Sequence, residues 1–214
     1  MWEYPDSIDR VPDPILDRTI HMLTLASGSA TRAKMLTDAR IPFEVVAPRV
    51  DEAALTDALR AEGHGPRAVA DALAEMKALR VRRPGLVLGC DQVLDHDGTP
   101  MGKPVDRDAA LEQLMRLRGG EHALHAAAVI AEDGRPVWRH VGTVTMVMRA
   151  ASPAYLSDYV DRNWEVVRHS AGAYTLEGEG ARLFHRVRGD FFTVLGLPLL
   201  PLIDFLVTRG EVAA

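Results

Sequence analysis

Leu86-Val87-Leu88-Gly89-Cys90-Asp91 is a short apolar run that passes through two small residues and stops at a carboxylate. A run of this length and composition reads as a buried strand. Asp91 then stands at the mouth of that strand, where an uncompensated charge is costly. Downstream, Asp97-Gly98 signals a two-residue hairpin turn, and the returning chain carries Gly102-Lys103-Pro104 back toward the same neighbourhood. Outward from this strand, Met22 to Ala26 is a second apolar run, which enters Ser27-Gly28-Ser29 and then a helix over 30–39. Phe43, Val45 and Ala47 predict a strand ending at Pro48. Helices are predicted over 51–61 and from Pro66, the latter with Val69, Leu73 and Met76 along one face.

Beyond the hairpin, a helix is expected over 107–118, closed by Gly119. Strands are expected over 122–131 and 136–148, joined by Asp133-Gly134. Ser152-Pro153 has the form of a cap and first helical residue. The helix it opens should turn Tyr155, Leu156, Tyr159 and Val160 inward. A glycine-rich segment spans 172–180, a strand follows near 183–187, and a last helix opens at Pro198. Strands and helices mixed in this order, hairpins included, predict an α/β fold: a mixed, twisted central sheet with flanking helices.

Bulk properties narrow the function. The 214 residues are 47% hydrophobic and 26% charged, enough for one compact core. A net charge of −5, with Arg and Lys dispersed, argues against nucleic-acid binding. No apolar stretch approaches the ~20 residues of a membrane helix. One cysteine, Cys90, excludes an internal disulfide and suits a reducing, cytoplasmic setting. Residues 1–20 read as a loosely attached extension and 21–210 as a single domain.

Leu25 to Lys34 turns from a strand through small hydroxyl residues into a helix start, where backbone N–H groups favour an anion. Arg32 and Lys34 fall in the first turn, where each cation is unfavourable by ~0.3–1 kcal/mol. A bound polyphosphate would offset that cost, and a serine-capped helix with solvated cations is the ordinary alternative. The Walker spacing is absent.

Ser27-Gly28-Ser29 with Arg32, Val50-Asp51-Glu52, Lys77-Ala78, Gly89-Cys90-Asp91-Gln92 and Gly102-Lys103-Pro104 together resemble the motif series of the Maf nucleotide pyrophosphatases. Ser170 to Tyr174, Glu177-Gly178 and Gly196-Leu197-Pro198 continue it in order. The resemblance runs from about Leu23 to Leu206. It implies hydrolysis of nucleoside triphosphates to monophosphate and pyrophosphate, with Mg²⁺ or Mn²⁺, in a cytoplasmic fold like that of the inosine triphosphatases. A cleft between two lobes and a homodimer are implied as well. The family's S-x-S-P-R-R pattern is here Ser27-Gly28-Ser29-Ala30-Thr31-Arg32, so its proline and first arginine are missing. That arginine is linked to base choice, which leaves Thr31 as a specificity position. Gln92 and Glu177 look nearer the 7-methyl-GTP branch than the dTTP/UTP branch. A nucleotide-binding regulator of growth or division with little turnover is the reading from another class.

The resemblance assigns roles that the residue types can perform. Mg²⁺ takes one or two carboxylates and keeps its other positions for phosphate and water, and Glu52 and Asp91 are the candidate pair. Asp91 is also the implied proton acceptor, and a capping aspartate is its plainer reading. Arg32, Lys77 and Lys103 would clamp the phosphates, although Lys77 sits at the edge of its helix's buried face, where lysines usually snorkel. Ser27 and Ser29 would bond phosphate or base. Glu177 could accept from a base N–H edge, and Gln92 could accept or donate. His122 and His125 fall on opposite faces of a strand, which argues against a shared metal. Cys90 reads as a small buried filler, and Tyr174 as core.

Overall fold

The computed structural model describes residues 22–213; the 1–20 extension lies outside them. A seven-stranded sheet is built from β1 (Leu23–Ala26), β2 (Phe43–Val45), β3 (Leu86–His96), β4 (Thr99–Met101), β5 (Glu121–Glu132), β6 (Arg135–Met148) and β7 (Phe184–Arg188). Its order is β2-β1-β3-β5-β6-β7, with β4 paired to β3 off that path. The β2-β1-β3 pairs are parallel and the rest antiparallel, so the expected mixed α/β sheet is present.

Helices cover both faces. On one, α3 (Pro66–Arg80) packs Val69, Ala70, Leu73 and Ala74 onto Val93, Ala127 and Val129. The short α2 (Glu52–Ala61) leans on the same cluster through Leu55 and Leu59 and has no fully buried residue. On the other face, α1 (Ala30–Asp38) and α7 (Leu199–Thr208) cover Leu25, Leu88, Cys90 and Ile130. At the far end of that face, α4 (Arg107–Leu117) and α5 (Pro153–Val167) cover Leu94, Leu124, Val144 and Met146. The four-residue α6 (Phe191–Val194), which the sequence pattern did not signal, sits between the two groups.

The main departure from expectation is the length of β3. It does not stop near Gly89. It pairs with β5 continuously from Leu86 to Asp95, which puts Asp91 in mid-strand and not at a strand mouth or turn. The cross-strand ladder sets this, because Cys90 to Gln92 oppose Ala128 to Ala126, small residues that admit close packing on both sides. Both Asp-Gly hairpins form as the sequence predicts, with Asp97, Gly98, Asp133 and Gly134 all at positive φ. Leu156, Tyr159 and Val160 turn inward on α5, whereas Tyr155 stays part-exposed because its hydroxyl donates to Glu179.

Candidate active site

The connection from β1 through α1 to β2 runs over one face of the sheet, and the connection from β2 through α2 and α3 to β3 runs over the other. The order therefore reverses at β1. In open α/β sheets a ligand crevice forms at the carboxyl ends of the strands where the order reverses. Here that point carries the Ser27–Ser29 turn beside Asp91.

Alternation along β3 decides which side chains reach it. Gly89, Asp91, Val93 and Asp95 face α3, and Leu88, Cys90, Gln92 and Leu94 face away. Lys77 projects from α3 onto Asp91, with Nζ 2.5 Å from Oδ1. The same ammonium forms an ion pair with Glu52 Oε1 at 2.8 Å, so carboxylates from α2 and β3 meet on one cation. Lys77 and Asp91 are 7% and 6% exposed, while Glu52 is half exposed. The helical position of Lys77 suggested a snorkelling residue; tertiary contact with two acids holds it inside instead. Burial raises the Asp91 pKa above the usual carboxylate range, Lys77 and Arg32 pull it back, and Glu52 pushes it up. Asp91 Oδ2 receives no hydrogen bond from the described residues and is not among their sealed, unpartnered polar atoms, so it reaches solvent. An open pocket lined by Pro48, Arg49, Val50, Asp51, Glu52 and Ala53 fronts Glu52.

The serine turn is organised from within. Ser29 caps α1, its Oγ accepting from the Arg32 N–H at 3.3 Å. Ser27 Oγ accepts from the Ser29 N–H and from Arg32 Nη1, both at 3.2 Å. Arg32 also donates through Nε to Gly196 O (2.8 Å) and through Nη1 to Cys90 O (3.1 Å). The guanidinium thus fastens the turn, β3 and the Gly196-Leu197-Pro198 segment into one unit, and among the described residues no bond reaches Nη2. Gly196 makes the approach possible: its φ is +95°, and a Cβ there would lie 3.3 Å from Nη2.

Beside this unit the sheet has a gap. Pairing of β1 with β3 ends at Ala26 and Gly89, and pairing of β4 with β3 begins at Leu94 and Met101. Between those limits β3 has no strand partner on that side among the described residues.

Comparison with known proteins gives this geometry its context. A family profile described as "Maf-like protein" matches residues 22–209. The chain belongs to the Maf-like family. A Maf-like relative from Roseobacter denitrificans, named nucleoside triphosphate pyrophosphatase, is 56% identical over 192 residues, covering 88% of this chain and 96% of its own. Relatives of the same name from Ruegeria pomeroyi (54% over 193 residues; 89% and 97% covered) and Caulobacter vibrioides (48% over 190; 88% and 96%) agree.

In this Maf-like chain the remaining candidates are distributed unevenly. Thr31 is half-buried on the first turn of α1. Lys103 is exposed just past β4. Gln92 faces away from Asp91, and both hydrogens of its amide go to the carbonyls of Thr193 and Val194 at 2.9 Å. Its oxygen remains as an acceptor; its donating capacity is committed to holding α6. Glu177 is an exposed turn residue that makes no hydrogen bond or ion pair with the described residues of the site, and its neighbour Glu179 is the tethered acid, bound by Arg162, Asn163 and Tyr155. Cys90 is fully buried, with burial pushing its thiol up to about 11. Tyr174 is core and bonds His122 Nε2 at 2.7 Å, while His125 points to the opposite face. Among the described residues no helix is long and apolar enough to cross a membrane.

Proposed function

We propose that the protein hydrolyses nucleoside triphosphates to nucleoside monophosphate and pyrophosphate. The observation that carries the reading is the convergence of Glu52, Lys77 and Asp91 at the reversal point of the sheet, beside the serine turn. Relatives named nucleoside triphosphate pyrophosphatase at about half identity support it. The substrates are non-standard or modified nucleotides, and 7-methyl-GTP is the specific candidate to test first. The protein acts in the cytoplasm as a homodimer.

The donor set fits a divalent cation that retains phosphate and water ligands. Two carboxylates meet at one point, and among the described residues no group of three or more His, Cys, Asp or Glu forms a closed cage. Glu52 and Asp91 would hold Mg²⁺ or Mn²⁺, which supplies charge neutralisation and a more acidic bound water when present. Asp91 accepts the proton of the attacking water through the oxygen that Lys77 leaves open. Lys77 fixes both carboxylates and lowers the Asp91 pKa against the burial that raises it. Ser27, Ser29, Arg32 and Lys103 orient the phosphates, and Thr31 meets the base.

A screen of standard and modified triphosphates with Mg²⁺ or Mn²⁺, read by pyrophosphate release, tests this. Turnover of at least one substrate, lost in Asp91→Asn with the circular dichroism spectrum retained, is expected. Absence of pyrophosphate from every triphosphate, or full activity in Asp91→Asn, overturns it.

A further inference from the structure

Away from the serine turn, three strands bring together a carboxylate, an imidazole and a hydroxyl that the proposed hydrolysis does not use. The register aligns Val93 of β3, His125 of β5 and Thr143 of β6 in one row, so His125 and Thr143 share the α3 face with Asp95, two residues along β3. His125 Nε2 lies 3.1 Å from Asp95 Oδ2, and His125 Nδ1 lies 3.0 Å from Thr143 Oγ1. Asp95 is itself fixed, its Oδ1 accepting from the Gly98 N–H of the hairpin at 2.7 Å.

The hydrogen-bond chemistry sets the direction of the array. An ionised carboxylate only accepts, so a neutral His125 ring carries its proton on Nε2. Nδ1 is then the bare nitrogen, and it accepts from the Thr143 hydroxyl. A base oriented by a carboxylate and pointed at a hydroxyl is the arrangement that activates a nucleophile. Burial matches those roles: His125 is 7% exposed, whereas Thr143 is open to solvent. Long strands on both sides hold the three groups, which makes the array rigid. A cation is close by on the same face, where Arg67 Nη2 donates to the carbonyl of Val141 at 3.2 Å.

We propose that Asp95, His125 and Thr143 form a second reactive centre, in which His125 activates the Thr143 hydroxyl toward small activated esters. Thr143 Oγ bonds to the acyl carbon as the carbon–oxygen bond to the leaving group breaks. The hydroxyl proton passes to His125 Nδ1 and then to the departing alkoxide or phenoxide. Water afterwards cleaves the acyl-threonine by the reverse proton path. No metal takes part, so this centre stands apart from pyrophosphate release.

The test is incubation of the full chain with p-nitrophenyl acetate, followed by peptide mass spectrometry and p-nitrophenolate absorbance. Acetylation at Thr143 is expected, much faster than at Thr37 and Thr99, exposed threonines without a histidine partner. His125→Gln should slow it on the order of a hundredfold, the loss of a general base. Asp95→Asn should slow it as well, by releasing the tautomer. Thr143→Ser should retain labelling, and Thr143→Val should abolish it with pyrophosphate release unchanged. Wild-type labelling of Thr143 no faster than of Thr37 overturns the proposal whether or not the variants fold. So does equal labelling in His125→Gln.

Discussion

Gly89 of β3 and Ala74 of α3 are in such close contact that a Cβ on Gly89 would lie 2.1 Å from the Ala74 carbonyl oxygen. The same atom would lie 2.5 Å from the Ala78 nitrogen. Only hydrogen fits there. This closeness brings Lys77 down onto Asp91, because the lysine lies on α3 between those two contacts and Asp91 is the next residue of β3 on that face. The glycine is therefore a site determinant although it touches no ligand.

Gly89→Ala should push α3 off the sheet and separate Lys77 from Asp91. Overpacking of this kind costs ~1–3 kcal/mol, more where backbone is the obstacle. Urea denaturation should show the loss, and pyrophosphate release should fall with it. An alanine variant of wild-type stability and activity contradicts the packing argument.

Lys77→Met should be severely destabilising near neutral pH, by about 3–5 kcal/mol, because it leaves a buried carboxylate without its cation. Burial already raises the Asp91 pKa, and losing Lys77 raises it further. A raised carboxylate pKa means that the folded state keeps its proton over a range where the unfolded state has lost it. Stability then falls as pH rises through that range. The deficit of the variant should accordingly shrink as pH is lowered into the ordinary carboxylate range. Parallel urea melts of both proteins across pH 4–7 measure this.

His122 predicts the opposite slope. Its pKa is lowered to about 4, first by burial and then by His96. Between an unfolded value near 6.5 and that folded value, the unfolded state binds the extra proton. Stability should be lost as pH falls through that window, by up to about 3 kcal/mol from this one ring. His122→Gln should remove that component of the pH dependence while lowering stability at pH 7, since Tyr174 loses its partner.

Arg32→Lys should keep the charge but undo the joint between Ser27, Cys90 and Gly196, because an ammonium cannot reproduce the guanidinium fork. A displaced phosphate turn should lower kcat/KM on the order of a hundredfold. Steady-state kinetics on the best substrate from the screen reads this directly.

Thr31→Trp should reorder the ranking of purine and pyrimidine triphosphates, since residue 31 leads into the cradle from the first turn of α1. An unchanged ranking removes Thr31 from base selection.

Much of the architecture was legible from local pattern. Both Asp-Gly turns, the serine caps, Pro66 and Pro153 at helix starts, and the apolar spacing of α3 express short-range backbone preferences. The candidate acids and bases were legible as residue types in an ordered motif series. The full length of β3 was not, because Cys90-Asp91-Gln92 has no strand signal of its own and is held extended by pairing with the alanines of β5. Nor was the Asp95–His125–Thr143 array, whose members are scattered in sequence; combining the two hairpin registers would have been needed to find it.

By itself the chain determined most of its elements, both Asp-Gly turns and the chemical groups available, since these follow from interactions among residues a few positions apart. Tertiary structure alone decided which groups meet. Lys77 became a buried bridge between Glu52 and Asp91, Arg32 a joint among three segments, and Gln92 a strut for α6. Each outcome depends on distances between segments far apart along the chain, set by a sheet register and by how closely one glycine lets a helix approach.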